Sequence, residues 1–146
     1  MEVKLAATQQ ELEDAFSIRK EVFIHEQHVP EEEEIDQYED TSAHFVLYEN
    51  GQPIGAGRFR SLDGIGKVER ICVLQENRKS GAGKEIMNKI EEYAKENGFA
   101  SLKLNAQTHA IPFYTRLGYE IVSEEFLDAG IPHRTMKKTI QQKTSV

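Results

Sequence analysis

The chain has 146 residues, of which 38% are apolar and 29% charged, and this balance fits one globular domain spanning residues 1–146. Its net charge of −7 disfavours nucleic acid as a partner and favours a cationic partner, such as an amine. The short apolar runs exclude a membrane span, the first ten residues lack a signal-peptide pattern, and a lone cysteine fits a reducing compartment. We therefore expect a cytoplasmic protein.

The first third of the chain predicts a strand followed by a helix. Met1–Ala6 is strand-like, and Thr8–Glu11 has the pattern of a capping box, in which the Thr8 hydroxyl and the Glu11 carboxylate satisfy helix N–H groups. Helical spacing then continues to Phe23, and Pro30 breaks it. The acidic run Glu31–Glu34 is either a solvated loop or short helical turn, or the rim of an acceptor site.

The remainder of the chain alternates strands with two helices. Asn50-Gly51 and Asp63-Gly64 are turn signals that join three antiparallel strands. The predicted segments, in order, are the strands His44–Tyr48, Ile54–Phe59 and Lys67–Leu74, a helix from about Gly81 to Asn97 that Gly98 ends, the strand Ser101–Ala106, a helix over Ala110–Leu117, and the strands Tyr119–Ser123 and His133–Lys138. The order β-α-β-β-β-α-β-α-β-β predicts an α/β fold of the α+β kind, with a mixed sheet of about seven strands and helices on both faces.

A basic, glycine-containing turn, Arg78–Gly83, joins the third of these strands to the following helix. Free N–H groups at a helix start, together with the helix dipole, favour a phosphate or pyrophosphate. The pattern is not a P-loop, because Arg78 occupies the position of the first glycine and Glu85 follows the lysine. It is not a dinucleotide fingerprint either, because Ile86 replaces the third glycine. An ordinary strand-to-helix connection stays open as the alternative.

Two signatures resemble the GNAT superfamily of N-acetyltransferases. The turn matches the R-x-x-G-x-G element that binds acetyl-CoA, and Phe113-Tyr114 with Gly118-Tyr119 matches the F-Y-x-x-x-G-[FY] element. More closely, the chain resembles the YjcF-like branch of bacterial GNAT proteins. That likeness rests on Arg19, Val22, Phe23, Glu26, Gln27, Pro30, Glu34, Ile35 and Asp36, and on the segment Ala129–His133. The resemblance covers nearly the whole chain, including the order of its elements.

The resemblance implies acetyl-CoA as co-substrate. No metal is expected, because the histidines lack the spacing of metal ligands. The strand backbone before the turn would pair with the pantetheine arm, the turn N–H groups would hold the pyrophosphate, and Asn105 would contact the pantetheine. The strands that carry Ile71 and Asn105 would separate to form a slot, and Tyr114 would protonate the departing thiolate. The implied cofactor-binding residues are Ile71, Cys72, Val73, Arg78, Lys79, Ser80, Gly81, Ala82, Gly83, Lys84, Asn105, Phe113 and Tyr114.

The chemistry of acetyl transfer calls for further groups. An alkylamine is only about 0.04% neutral at pH 7, so a general base would help. Glu69 is the first candidate, with a structural carboxylate paired with Arg70 as its alternative, and His133 is the second candidate. Cys72 is expected to be a small buried residue and not a nucleophile. Arg19 and Glu26 have two alternative roles: they would either form a structural pair at the end of the first helix or line the acceptor pocket.

The predicted function is transfer of an acetyl group from acetyl-CoA to a primary amine, on a small molecule or a peptide, by direct attack in a ternary complex. The acidic surface and Glu31–Glu34 favour a cationic acceptor. The alternative is a non-catalytic acyl-CoA-binding regulatory module with the same fold. An exposed terminal strand could also pair two copies into a homodimer.

Overall fold

The strands form one mixed sheet in the computed structural model, which describes residues 1–140. They are β1 (Glu2–Leu5), β2 (Ala43–Glu49), β3 (Gln52–Leu62), β4 (Ile65–Val73), β5 (Ser101–Gln107), β6 (Glu120–Ile121), β7 (Phe126–Asp128) and β8 (Ile131–Thr139). Their order is β1-β2-β3-β4-β5-β8-β6, and β7 pairs with β8. Only β4 and β5 run parallel within the described sheet, because a helix carries the chain across it between them.

Helices cover both faces of this sheet. The α-helices are α1 (Gln9–Arg19), α2 (Glu31–Glu34), α3 (Ala82–Glu96) and α4 (Ile111–Arg116), with single 3₁₀ turns at Glu39–Thr41, Gln75–Asn77 and Thr108–Ala110. The chain continues from α1 directly into a π-helical segment, Lys20–Glu26. There the Gln27 N–H donates to the carbonyl oxygen of Val22, five residues back.

The predicted boundary signals have the expected geometry. At the start of α1 the Thr8 hydroxyl accepts from the Glu11 N–H at 3.1 Å, and the Glu11 carboxylate accepts from the Thr8 N–H, so the capping box is confirmed. Asn50-Gly51 and Asp63-Gly64 have positive φ at both residues, as two-residue hairpin turns with the matching twist require. The predicted meander of β2, β3 and β4 is therefore confirmed.

Strand β7 is an element that the sequence prediction missed. The two-residue turn Ala129-Gly130, with φ of 52° and 75°, folds β7 back on β8 and pairs Asp128 with Ile131. Three residues are too few to show the alternation of a strand, and alanine is an uncommon residue in the left-handed region. The sheet therefore has eight strands where about seven were predicted.

Two apolar cores hold the helices on the sheet, because neighbouring strand residues point to opposite faces. On one face, α3 packs on a core whose fully buried members include Phe45, Leu47, Ile86, Ile90, Leu102 and Met136. On the other, which we call the α1 face, α1 packs on a smaller core that includes Ala15, Ile18, Val46, Ala56 and Cys72. Helix α1 covers β2, β3 and β4 and leaves the α1 face of β5 and β8 to the candidate site. None of the helices described has the length and apolar character that crossing a membrane requires.

Candidate active site

A slot opens where the two parallel strands stop pairing. β4 and β5 are in register at three positions only, ending with Val68 opposite Leu104. Beyond this pair, the segment Glu69–Val73 of β4 continues beside β3, while Asn105–Gln107 of β5 continues beside β8. Beyond Leu104, the backbone groups of β4 and β5 that face each other are therefore open to a ligand. The family resemblance implies such a separation of the two strands.

A bulge in β4 accompanies the separation. The register between β3 and β4 shifts between Ala56 and Arg58, and Arg70 has a φ of 58°, a strained conformation for a residue with a side chain. The Arg70 guanidinium is tied down by the Glu34 carboxylate at 2.9 Å and by Asp36 at 3.3 Å. These ion pairs stabilise the bulge. The acidic segment 31–36, which contains α2 and Asp36, therefore helps to shape the slot.

The slot lies within a pocket of about 820 Å³, a volume typical of a small-molecule site. The predicted site residues that line it are Glu69, Ile71, Cys72, Val73, Arg78, Gly83, Asn105, Phe113, Tyr114 and His133. The other predicted residues, Lys79, Ser80, Gly81, Ala82 and Lys84, form the turn that leads into α3 and do not line the pocket itself. The structure thus brings the two signatures of the sequence to one cavity.

The glycine turn presents a helix start with free N–H groups. Gly81, with a φ of 90°, directly precedes α3, and no side chain of residues 1–140 caps the first turn of the helix. A Cβ atom built on Gly83 would lie 3.1 Å from the Phe113 ring, so the glycine lets that ring pack against the turn. Uncapped N–H groups at the positive end of a 15-residue helix form a cradle for an anion.

Arg78 has a carboxylate partner that the sequence did not reveal. Its guanidinium donates to both oxygens of Glu26, at 2.7 and 2.5 Å, and its Nε donates to the Val73 carbonyl oxygen at 3.0 Å. The bidentate bond to Arg78 lowers the pKa of Glu26. The expected pairing of Glu26 with Arg19 is therefore wrong, whereas the alternative placement of Glu26 in the pocket lining is what the structure has.

Tyr114 contributes a buried phenol to the pocket wall. The side chain is 8% exposed and makes edge-to-face contacts with Phe113 and Tyr119. Its hydroxyl makes no hydrogen bond within residues 1–140. Burial raises the pKa of Tyr114, and nearby Cys72 raises it further. The phenol therefore keeps its proton at neutral pH and can donate it to an acceptor in the pocket.

The Glu69 carboxylate is neutralised by three cations. One oxygen accepts from Arg58 at 2.9 Å and from Arg60 at 2.8 Å, and the other from Lys67 at 3.3 Å. Burial would raise the pKa of Glu69, but the bond to Arg60 and the charges of Arg58 and Lys67 outweigh it and lower that pKa. Arg70, the partner that the sequence suggested, bonds to the acidic segment instead. A carboxylate held in this way is a weak proton acceptor.

His133 has one ring nitrogen committed and one available. Its Nδ1 lies 2.7 Å from the Ile131 carbonyl oxygen, which can only accept, so Nδ1 carries the proton. In the tautomer with the proton on Nδ1, Nε2 is an acceptor, and it has no hydrogen-bond partner among residues 1–140. The ring stacks on Phe126 at a centroid distance of 6.0 Å, and the missed strand β7 therefore helps to orient this residue. His133 is 8% exposed and lines the pocket.

Two further pocket residues match their expected settings. Cys72 is 5% exposed, and burial raises the pKa of its thiol to about 12. The prediction of a small buried residue is confirmed, and a thiol with that pKa is not an activated nucleophile. Asn105 is exposed on β5, and its Oδ1 accepts from the Thr135 hydroxyl at 2.8 Å, which leaves the amide N–H groups available to a ligand.

Sequence reasoning missed a buried ion-pair network beneath the pocket. Arg19 and Arg58 are fully buried, and Glu39 lies within 3.0 Å of both guanidinium groups. Arg19 also binds Glu34, and Arg58 binds Asp36 in a bidentate pair. Glu34 is only 2% exposed and lines the pocket, so the solvated-loop alternative is wrong for this residue. The available signal was Arg58 and Arg60 at alternate positions of β3, because buried arginines need carboxylate partners and the acidic segment 31–36 can supply them.

Comparison with known proteins assigns the family. The model of the acetyltransferase (GNAT) domain matches residues 4–140. The chain belongs to the GNAT family of acetyltransferases. It is 52% identical to the uncharacterized N-acetyltransferase YjcF of Bacillus subtilis (strain 168), over 94% of this chain and 99% of that protein. The predicted family, branch and enzyme class are thus confirmed.

Solved structures extend the likeness to the fold. An acyl-CoA N-acyltransferase from Pseudomonas aeruginosa has a TM-score of 0.83 and 26% identity, with 94% of this GNAT chain and 97% of that one covered. An aminoglycoside 6′-N-acetyltransferase, solved in complex with coenzyme A, has a TM-score of 0.77 and 14% identity over 99% and 100% of the two chains. The second likeness shows the fold alone, and together they confirm the predicted mixed sheet. Within residues 1–140, no group of three or more His, Cys, Asp or Glu residues is placed to hold a metal ion.

Proposed function

We propose that this GNAT protein transfers the acetyl group of acetyl-CoA to a primary amine, on a small molecule or a peptide, by direct attack in a ternary complex. The observation that carries the proposal is the slot between β4 and β5. Gly83 of the glycine turn and Tyr114 both line the pocket that contains this slot. A slot with free strand edges fits the amide-containing pantetheine arm, because each backbone group there needs a partner.

The donor is expected to lie along β4. Backbone groups of Ile71, Cys72 and Val73 would pair with the pantetheine, and the uncapped N–H groups of the turn from Lys79 to Lys84 would hold the pyrophosphate. Arg78, Phe113 and the amide of Asn105 complete the predicted set around the same pocket. The fold is shared with an acetyltransferase that was solved with coenzyme A, and this likeness supports the same class of ligand here.

The reaction balances with one proton acceptor and one proton donor. The neutral amine nitrogen attacks the thioester carbonyl carbon, so that a C–N bond forms as the C–S bond breaks. The sulfur leaves as a thiolate and takes the phenolic proton of Tyr114, which burial keeps in place at neutral pH. The amine nitrogen gives up its proton to a base of the pocket. Cys72 forms no covalent intermediate, because its buried thiol stays protonated.

Of the two predicted bases, we assign proton removal to His133. Its Nε2 is a free acceptor, whereas both oxygens of Glu69 already accept from cations that lower the carboxyl pKa. Bringing an alkylammonium to its neutral form at pH 7 costs about 4.6 kcal/mol, so the reaction gains from a proton acceptor that is not already bound to cations. The role we assign to Glu69 is structural: its carboxylate neutralises Arg58, Arg60 and Lys67 beside the slot.

The variant Tyr114→Phe tests this assignment. It retains the ring packing against Phe113 and Tyr119 and removes only the hydroxyl, so the affinity for coenzyme A should stay within about twofold. The turnover number should fall at least about tenfold, because general acid catalysis typically contributes a hundredfold or more and a thiolate needs less help than most leaving groups. Release of coenzyme A measures turnover, and calorimetry measures affinity.

A matched control is Tyr93→Phe, since Tyr93 packs on Phe45 and Phe59 and does not line the pocket. Unchanged turnover in Tyr114→Phe would remove the acid role from this residue. The rival function, an acyl-CoA-binding regulatory module, predicts a different result for the wild-type protein: tight acetyl-CoA binding without turnover of any amine in a broad panel.

A further inference from the structure

A row of basic side chains crosses the sheet beside the slot. The residues are in register on four adjacent strands, β3, β4, β5 and β8, and we call them the cationic row: Arg60, Lys67, Lys103 and Lys137. All four are on the α1 face, because the alternate residues of the same strands, such as Phe59 and Met136, belong to the core on the α3 face. The row contains four cations in a chain whose net charge is −7.

The row contains three consecutive like-charge pairs, which is unfavourable for a sheet. Residues directly opposite each other have Cβ atoms about 5 Å apart, and like charges in these positions destabilise the pairing. Glu69 compensates only one end of the row, because it binds Arg60 and Lys67. Lys103 and Lys137 make no ion pair among the described residues. Glu120 lies opposite Lys137 at the sheet edge, but it too forms no ion pair in this part of the chain.

The crowding of positive charge affects the proton affinity of Lys67. Burial lowers the pKa of this ammonium, Glu69 opposes the effect, and the charges of Arg60 and Lys103 lower the pKa further. Lys67 is 8% exposed and lines the pocket, so one member of the row reaches the site itself. Lys103 is half-buried and Lys137 is exposed, in the part of the α1 face that α1 leaves uncovered.

The row lies next to two residues that line the pocket, Asn105 and Glu69. Lys103 precedes Asn105 by two residues on β5, and Lys67 precedes Glu69 by two residues on β4, a distance of about 7 Å along each strand. A ligand that extends from the slot toward Lys103 along this face would pass over the Asn105–Thr135 pair. The spacing fits a small molecule whose two functional groups are several bonds apart.

We infer that the cationic row binds an anionic group, a carboxylate or a phosphate, that belongs to the amine acceptor. The inference rests on the proposed function, and it names the class of acceptor: an amine that also carries an acid. The negative net charge of the chain acts over a long range and attracts the ammonium group of such an acceptor. The cationic row acts at short range and attracts the acid group of the acceptor. A zwitterionic acceptor is therefore attracted by both charges, whereas the purely cationic acceptor expected from the sequence is attracted only by the net charge.

Two matched pairs of amines test the inference by turnover. Butylamine is compared with 4-aminobutanoate, and ethanolamine with its phosphate ester, so that each pair differs in one anionic group. We expect a kcat/KM at least about fivefold higher for the acid-bearing member of one pair, and the pair that responds identifies carboxylate or phosphate. Lys103→Gln should reduce this advantage about fivefold, which is the upper range for one exposed ion pair. Lys89→Gln, which removes the same charge from α3, should not reduce it.

A binding measurement keeps the inference separate from the proposed function. Glutarate and inorganic phosphate are titrated into the protein saturated with coenzyme A, which occupies the turn at α3. One of the two anions should bind to the wild-type protein, and its affinity should fall at least fivefold in Lys103→Gln but not in Lys89→Gln. Equal turnover within both amine pairs, or absence of binding by both anions, would overturn the inference. Anion binding without turnover of any amine would retain the anion site and contradict the proposed function.

Discussion

Glu39 is the residue at which the buried network can be tested most directly. Its carboxylate accepts from Arg19 at 2.9 and 2.8 Å, lies 3.0 Å from Arg58, and is 11% exposed. Burial by itself would raise the pKa of Glu39, but the hydrogen bonds and the charge of Arg19 outweigh it and lower that pKa from 4.5 to about 2. The substitution Glu39→Gln keeps the shape of the side chain and removes its charge.

The magnitude follows from the displaced pKa. A tenfold change in proton affinity corresponds to about 1.4 kcal/mol, so a pKa moved from 4.5 to about 2 gives an upper limit of about 3 kcal/mol. Partial solvent screening reduces this, and we expect Glu39→Gln to lower the free energy of unfolding by about 2 to 3 kcal/mol at pH 7. Because the folded-state pKa is the lower one, the stabilisation is present above pH 4.5 and disappears as the pH falls toward 2. At pH 3.5 about 1.4 kcal/mol of it should be lost.

Urea unfolding followed by far-UV circular dichroism measures this difference, since the chain has no tryptophan for fluorescence. The control is Glu31→Gln, an exposed residue of α2 without an ion pair among the described residues, for which we expect a change within about 0.5 kcal/mol. The gap between the wild-type protein and Glu39→Gln should narrow at pH 3.5. A gap below 0.5 kcal/mol at pH 7, or one that does not depend on pH, would refute the reasoning.

Two further substitutions address the glycine turn. Gly81→Glu should abolish coenzyme A binding in calorimetry, because it strains a residue with a φ of 90° and places a carboxylate at the positive end of α3. Gly64→Glu, at a φ of 80° in a remote hairpin, is its control, and retained affinity in Gly81→Glu would argue against the phosphate site. Glu26→Gln should strengthen coenzyme A binding about threefold, because Arg78 loses a carboxylate partner that competes with phosphate. Weaker binding would show that the Glu26–Arg78 pair supports the site instead.

The parts of the fold that sequence predicted are those fixed by local signals. Capping at Thr8, turns at Asn50-Gly51 and Asp63-Gly64, and the helical period of α3 each depend on a few neighbouring residues, and each has the predicted geometry. The glycine turn was found for the same reason, since a helix start and its cradle are contiguous in sequence. Strand β7 was missed because three residues are too short for a periodic signal.

The site beyond the turn depends on contacts between distant residues, which periodicity does not encode. Glu69 was identified as a carboxylate beside the slot, but its partners Arg58 and Arg60 are on the neighbouring strand, and the register that pairs them includes a bulge. Local sequence suggested Arg70, the next residue, which the bulge turns toward Glu34. The proton affinity of Glu69 could not be judged until this register was known.

The same register explains why the two ends of an acceptor would be recognised differently. On the α1 face of the sheet, Glu69 and His133 belong to the part of the pocket where β4 has separated from β5, and the cationic row crosses the part where the two strands still pair. Where the strands pair, the lysines are held at a fixed spacing, which favours binding of an anionic group at one position. Where the strands separate, the slot leaves room for the thioester and the attacking nitrogen. The boundary between the two lies at the Val68–Leu104 pair. An acceptor with its amine on one side of this boundary and its acid on the other would therefore be positioned by the change in strand pairing that also creates the slot.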